Sequence, residues 1–287
     1  MTTAAAPRTN SDRLVTLGIG ARVSHPTGDS WSVDSYGRPI ILPGMAGVCY
    51  NVRVGSPVFS WAADHLEAAV SAGGAGAPPD AALQFLACVG NPVRVLTGPA
   101  AGGAGTVVGK HAFVLVDFPQ RTLDLLGPGD RLLVRARGQG LRLLDFPDVA
   151  LRSCSPELLQ ALPVQVRGDA LAITVAAEIP AFLMGAGIGM SSEWANCDVM
   201  LTRPDSVADL GYEGLRIGDV VAMTGQDHRY GRGSLSGSCA IGIIAHGIGV
   251  IPGHGTGVIT IMSGPRERFV LETDPAANVG TSLGLPA

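Results

Sequence analysis

Residues 240–263 read AIGIIAHGIGVIPGHGTGVITIMS. The two ends, AIGIIAH and GVITIMS, alternate and are rich in β-branched residues, the pattern of strands in a sheet. The middle, GIGVIPGHG, has too much glycine for a helix and is longer than a minimal hairpin loop. The stretch therefore predicts two strands joined by a loop, with His246 and His254 standing among five glycines at 245–257. Glycine lets a backbone approach a ligand closely and take positive φ. A loop of this kind on a rigid sheet can present imidazoles and backbone N–H groups to a small molecule. The plainer alternative is a β-arch whose glycines only permit the bend.

Working outward, strand patterns outnumber helix patterns. KHAFVLVDF (110–118), DRLLVRA (130–136), LRLLDF (141–146), DALAITVAA (169–177) and DVVAMT (219–224) are short apolar or alternating runs. Most are bounded by Gly, Pro or Asp, as in a barrel or sandwich. Helix signals are few. Ser155-Pro156-Glu157 before LLQAL offers an N-cap, a first-turn proline and a first-turn acid. Asp80 before AALQFLACV and the segment SPVFSWAADHLEAAVSAGG (56–74) are two more candidates. LGPGDRLLV (126–134) and LRIGDVVAM (215–223) echo one another, each placing a Gly-Asp turn directly before an apolar strand. The expected fold is mainly β (α+β), with two β-rich halves, barrel- or sandwich-like, and few short helices. The expected divisions are a disordered tail at 1–20, halves at 21–154 and 155–270, and a C-terminal tail at 271–287. The loops 71–80 and 97–109 are flexible by composition.

Composition narrows the class of protein. Hydrophobic residues make up 46% of the 287 and charged residues 15%, with a net charge of -4. That is an ordinary globular balance, with no basic footprint for nucleic acid. Five cysteines without a CxxC pair argue against a disulfide framework or a structural zinc site. The one apolar stretch of membrane length, 171–190, contains Glu178 and Pro180 and reads as a buried strand and loop. The N-terminus lacks the apolar segment of a signal peptide, so the cytoplasm is expected. Positive charge comes from 19 arginines and a single lysine, Lys110. A lysine kept in an arginine-rich chain suggests a role arginine cannot fill, since only lysine loses its proton readily.

Polar groups gather in a few motifs. Asp64-His65-Leu66-Glu67 offers two acids and an imidazole. Gly109-Lys110-His111 offers an amine beside an imidazole. Asp227-His228-Arg229-Tyr230-Gly231-Arg232 is dense in donors and acceptors, and its two arginines can hold a carboxylate or phosphate. The run MGAGIGMSSEW (184–194) lacks the full dinucleotide spacing and reads as a tight loop.

PIILPGMAGVCYNVRVGSP, WAADHLEAAVS, ACVGN, GKH, GQGLRL, PAFLMGAGIG, LRIGDVVAM, DHRYGR and AIGIIAHGIGVIPGHGTG occur in this order. Together they resemble the prokaryotic family catalogued as domain of unknown function 4438, from about residue 20 to about residue 265. The resemblance implies a two-part, β-rich fold and self-association as a homo-oligomer, but no particular activity. The chain departs from the family pattern at Ala68, at Ala112-Phe113 and at Thr256. Those changes keep the charged and imidazole groups while altering backbone stiffness beside them.

The motifs suggest an enzyme acting on a small molecule with a polar carbonyl, amide or carboxylate, as a hydrolase or as a lyase or cyclase of a specialised pathway. Lys110, His111, His246, His254, Asp64 and Glu67 are the catalytic candidates. Asp227, His228, Arg229, Tyr230 and Arg232, with Asn51 and Asn91, are the candidates for holding substrate. If a divalent metal takes part, Asp64, His65, Glu67 and His111 are its expected ligands. The alternative is a non-catalytic, oligomeric ligand-binding protein. No membrane or nucleic-acid partner is expected. The enzyme reading requires that loops far apart in sequence converge on one pocket.

Overall fold

The computed structural model describes residues 5–28, 31–202 and 204–285. Alternating side chains build its first part. β1 (Leu17–Val23) is followed by a small ribbon, β2 (Ser32–Val33) and β3 (Pro39–Ile40). Then come β4 (Val70–Gly73), β5 (Pro92–Val95), β6 (Ala104–Lys110), β7 (Val114–Asp117) and β8 (Arg131–Ala136). Apart from the ribbon, these strands close into an antiparallel barrel in the order β1-β4-β7-β6-β5-β8. In β8, Leu132, Val134 and Ala136 are buried while Arg131 and Arg135 face solvent. β5 repeats the pattern with Val93 and Val95 inside. The inward residues, with Val23, Val70, Val116 and Phe118, form one apolar cluster that fills the barrel.

The second part contains β9 (Ala150–Leu151), β10 (Val164–Arg167), β11 (Ala170–Val175), β12 (Ala177–Ile179), β13 (Cys197–Val199), β14 (Val220–Asp227), β15 (Gly233–Ile244), β16 (Thr256–Pro265) and β17 (Phe269–Thr273). One sheet runs β12-β14-β15-β16-β13, with β9 also on β16, and a second runs β10-β11-β17. β15 and β16 are the two strands read from residues 240–263, and they pair antiparallel. Both are buried on both faces near the 245–255 loop, which explains their near-continuous apolar character.

The helix Pro156–Ala161 stands where its signals place it, and the Ser155 hydroxyl accepts from the Leu158 amide. Both Gly-Asp turns also form as read. Gly129 and Gly218 take φ of +92° and +90°. Asp130 and Asp219 accept from the backbone amides of Gly127 and Arg216, three residues back. β8 and β14 start immediately afterwards.

Four expectations are corrected. Residues 110–118 are not one strand: β6 ends at Lys110 and β7 begins at Val114. LRLLDF forms only bridges, Leu143 to Thr9 and Arg142 to Ala150. The two supposedly flexible loops contain most of β4 and most of β6, whose small residues pack against neighbours. The segment 56–74 is not helical either. Ser60, His65 and Ala69 adopt φ of +78°, +52° and +54°, which no helix tolerates. Its backbone pairs instead with the 245–250 loop: His65 N–H donates to Ile248 O (3.0 Å) and Gly247 N–H to Leu66 O (2.9 Å).

The termini are tied down where tails were expected. Ala5 bridges Val166, and β1 begins at Leu17. At the other end β17 pairs β11, and Val279 is fully buried. Polar contacts hold the first end, where Arg8 Nε donates to Asp145 (2.9 Å) and Asn10 Nδ2 to the Gly140 carbonyl (3.0 Å), and apolar burial at Val279 holds the second. Residues 1–4 and 286–287 of the two expected tails lie outside the described residues. Among the described residues no helix is long and apolar enough to cross a membrane. The 171–190 stretch forms β11, β12 and a short turn, as its Glu and Pro suggest.

Candidate functional site

The pairing of residues 64–67 with the 245–250 loop decides what meets what. It lays His65 and Glu67 beside His246, and Glu67 forms a β-bridge with His246. The residue after β6 adds His111, β13 adds Asp198 with Asn196 just before it, and the far side of the glycine loop adds His254. Four imidazoles thus cluster with three carboxylates where the barrel meets the second part. The His65 ring lies 5.5 Å from that of His111, 5.3 Å from His246 and 4.8 Å from His254, centroid to centroid. The His111 and His246 rings are 4.2 Å apart.

The glycines of the loop have a steric explanation. A Cβ at Gly249 would lie 2.4 Å from His65 Nε2, and one at Gly257 would lie 2.1 Å from His246 Nε2. At Gly255 it would strike the Val199 carbonyl at 1.6 Å. These positions are glycine because imidazoles and the β13 backbone occupy the space, so the plain arch is not a sufficient description.

Within the cluster, three donor atoms face one another. His65 Nε2 is 2.9 Å from His254 Nδ1 and 3.6 Å from Asp198 Oδ2. His254 Nδ1 is 2.9 Å from the same Asp198 oxygen. All three lie within 4.8 Å of one another, near enough that together they could hold a metal ion. Ligand atoms about 2.0–2.2 Å from one ion stand about 3.0–3.5 Å apart, close to these separations. Two of the atoms pointing away, on His65 and on Asp198, are also anchored. His65 Nδ1 is 3.0 Å from Asp64 Oδ1, which also accepts from Val250 N–H at 2.7 Å. Asp198 Oδ1 accepts from Asn196 Nδ2 at 2.8 Å. A carboxylate behind an imidazole, as Asp64 stands behind His65, is the outer partner that orients a metal-ligating histidine.

The remaining two histidines stand differently. His111 Nδ1 is 2.8 Å from Glu67 Oε1, so the carboxylate fixes the proton on Nδ1 and leaves Nε2 as the basic nitrogen. Glu67 Oε2 accepts from Ala46 N–H (2.8 Å) and from the Ser71 hydroxyl. His246 is fully buried; its Nδ1 meets the Gly247 carbonyl at 2.8 Å and its Nε2 meets Asn196 Nδ2 at 3.1 Å.

The electrostatics separate the roles. Burial works against the His65 cation, yet hydrogen bonds to Asp198 and Asp64 outweigh it and push the ring up to about 9. Burial would raise Asp198, but the bonds from His254 and His65 hold it far below the usual carboxylate range. Burial, reinforced by His111, pushes His246 down to about 3, so it is a neutral spacer.

His65, His111, His254 and Asp64 are among the residues that line a cleft of about 440 Å³. Its other walls come from the β2–β3 ribbon, Met45, Phe113 and Ile251. That volume lies within the range of small-molecule sites.

Several sequence expectations are corrected here. Of the expected metal ligands only His65 belongs to the facing triad. Asp64 backs His65, Glu67 backs His111, and His111 stays outside; His254 and Asp198 complete the set. Lys110 does not join the imidazoles. It is fully buried and donates to Gln84 O (2.6 Å), Ser153 Oγ (2.9 Å) and Glu193 O (3.0 Å). Three acceptors around one nitrogen suit an ammonium and not a planar guanidinium, which answers why lysine stands here.

The 227–232 motif is elsewhere too. Arg229 pairs with Asp227 (2.8 Å) and Tyr230 is 91% exposed. His228 is buried against Thr260 Oγ1 (2.7 Å). Arg232 Nη2 donates to the Trp194 and Ala195 carbonyls at 2.8 and 2.9 Å. Asn51 is exposed, and buried Asn91 ties a turn by accepting from Cys88 N–H and donating to Arg137 O. None of these reaches the histidines. Lys110 and Arg232 do serve the site at one remove, because they clamp carbonyls 193–195 immediately before Asn196 and Asp198.

Burial of Lys110 carries a pH consequence. Burial lowers it from 10.5 to about 8. The unfolded chain then binds the extra proton between those values, so this residue makes stability rise with pH across that window. Below about pH 8 the cost of its charge is present in full, on the order of 3 kcal/mol. The stability of the natural protein minus that of Lys110→Met should therefore grow between pH 7.5 and 10.5. Guanidinium unfolding at both pH values checks it; a constant difference would refute a buried, depressed Lys110.

Fold and site define a two-part β protein with a histidine–carboxylate centre at the junction. The chain belongs to the family catalogued as domain of unknown function 4438: its N-terminal domain matches residues 31–160 and its C-terminal domain residues 161–283. It is also similar to a solved structure titled "Crystal structure of TM1086", with 38% identity and a TM-score of 0.93. That likeness covers 96% of this chain and 99% of the other. No curated protein matches the chain.

Proposed function

We propose that the chain is a metal-dependent hydrolase of small carbonyl compounds, with one divalent transition ion held by His65 Nε2, Asp198 Oδ2 and His254 Nδ1. The observation that carries this reading is the facing triad, drawn from three separate segments and anchored from behind by Asp64 and Asn196. Two nitrogens and one carboxylate suit zinc, manganese or iron, and three protein ligands leave a position for water. The ion would supply polarisation of a carbonyl and acidification of water.

The chain's own residues supply proton transfer. His111, its tautomer fixed by Glu67, takes the proton as water adds to the carbonyl carbon. It returns that proton to the leaving oxygen or nitrogen as the C–O or C–N bond breaks. Self-association and a cytoplasmic setting belong to the same reading and are checked by sedimentation and fractionation.

A second reading uses the same atoms without a metal. His65 as a cation between Asp64 and Asp198 makes a closed ion network, as its raised proton affinity favours. The protein would then bind small molecules without turning them over. One experiment separates the readings. Protein stripped with a chelator is reloaded with Zn²⁺, Mn²⁺ or Co²⁺, and hydrolysis of 4-nitrophenyl phenylacetate is followed. Activity lost on stripping and restored by one ion per chain supports the hydrolase; a rate indifferent to both steps overturns it.

Gly249→Ala tests the geometry without removing a ligand. The new methyl would stand 2.4 Å from His65 Nε2 and displace that imidazole. Because Gly249 does not need positive φ, the fold should survive. Affinity for Zn²⁺ should fall by about 10- to 100-fold, as for lost support of a ligand. Calorimetry measures it, and an unaltered affinity in a folded variant would count against the triad.

A further inference from the structure

Resting on the metal reading, we propose that the substrate is an uncharged molecule with an apolar body and a single oxygen-bearing head, and not an acid. Three observations point this way. The first is the chemistry of the walls. Trp31, Ile41, Leu42, Met45, Phe113 and Ile251 line the cleft, and no lysine or arginine stands among the described lining residues. The arginines expected to hold a carboxylate are occupied elsewhere: Arg229 pairs with Asp227, and Arg232 holds the 194–195 carbonyls.

The second is exposure at the rim. Trp31 is 62% exposed and Ile41 76%, both on or beside the β2–β3 ribbon and both in the cleft wall. A ligand with an apolar body removes that surface from water, and the gain scales with the area covered. The third is charge. Asp64, Glu67 and Asp198 are three carboxylates around the imidazoles, and a divalent ion does not neutralise all of them. An anionic tail would meet no surplus positive charge and no donor fork to compensate its desolvation.

The polar end of the substrate thus sits at the ion and His111, and its apolar end lies along the ribbon. The specificity residues are Trp31 and Ile41, which touch neither the triad nor the Glu67–His111 pair in the hydrogen-bond pattern.

Hydroxamates with one metal-binding head and three tails test this on the full chain. Zn²⁺ content is measured first on the same sample. Phenylacetohydroxamate should bind about 10- to 100-fold tighter than acetohydroxamate, the effect of burying one aromatic ring. Succinic monohydroxamate, with its anionic tail, should bind no tighter than acetohydroxamate. In Trp31→Ser and Ile41→Ser the advantage of the phenyl tail should shrink to about threefold or less, with Zn²⁺ uptake unchanged. With one ion bound per chain, equal affinities for all tails, or a preference for the anionic one, would overturn the substrate class alone. No ion bound would overturn the metal reading and this inference with it.

Discussion

Asp198→Ala should lose at least about 100-fold in affinity for Zn²⁺, more than any outer partner of the site contributes. Asp198 supplies the one carboxylate of the facing triad and is held in its charged form by His254 and His65 despite burial. Removing it leaves two imidazole nitrogens 2.9 Å apart with no anion between them and the ion. Asp198→Asn keeps the shape, and its side-chain oxygen can still accept from Asn196, but it removes the charge. It should show an intermediate loss, about 10-fold or more. Calorimetric titration of stripped protein with Zn²⁺ measures both. If Asp198→Ala folds and binds the ion as the natural protein does, the ion is not held where we place it.

The second large effect concerns rate. His111→Ala should retain the ion, since His111 is not one of the three facing donors, and should lower hydrolysis of 4-nitrophenyl phenylacetate by about 10²- to 10⁴-fold. Glu67→Gln should act in the same direction but less strongly. The amide can still meet His111 Nδ1, yet it no longer enforces the tautomer that leaves Nε2 basic. Affinity for the ion in both variants should stay within about threefold of the natural protein, well inside the loss expected of a displaced ligand. A His111→Ala protein as active as the natural one would remove His111 from proton transfer. One that has lost its ion would make it a ligand.

These expectations draw on residues that the sequence revealed unequally. The strands of the barrel were legible wherever one face is buried and the other wet, as in β8, because alternation then appears directly in the letters. The Gly-Asp turns and the Ser155 cap were legible for a local reason: each is closed by atoms three residues apart. The histidines in the glycine loop stood out because so much glycine beside imidazole has few purely structural uses. The close approach of Gly249 to His65 and of Gly257 to His246 is the physical cause.

What was not legible depends on contacts between distant segments. The segment 56–74 has a helical composition, but its backbone is claimed by the 245–250 loop, nearly 200 residues away in sequence. Asp198 was missed altogether. Its only local signal is the alternation Asn196-Cys197-Asp198 leading into a short buried strand. Lys110 stands out in the sequence as the single lysine, yet its ammonium does not meet the His111 imidazole. Adjacent residues at the end of β6 reach different surroundings, and the ammonium turns to Gln84, Ser153 and Glu193. The arginines of 227–232 looked uncommitted in sequence and prove to be satisfied by Asp227 and by backbone carbonyls.

The most direct measurement is anomalous diffraction from crystals of the stripped protein reloaded with Zn²⁺, collected on either side of the zinc edge. One peak per chain within about 2.0–2.2 Å of His65 Nε2, Asp198 Oδ2 and His254 Nδ1 is the expected result. A peak at other residues, or none at this cluster in fully loaded crystals, would contradict it.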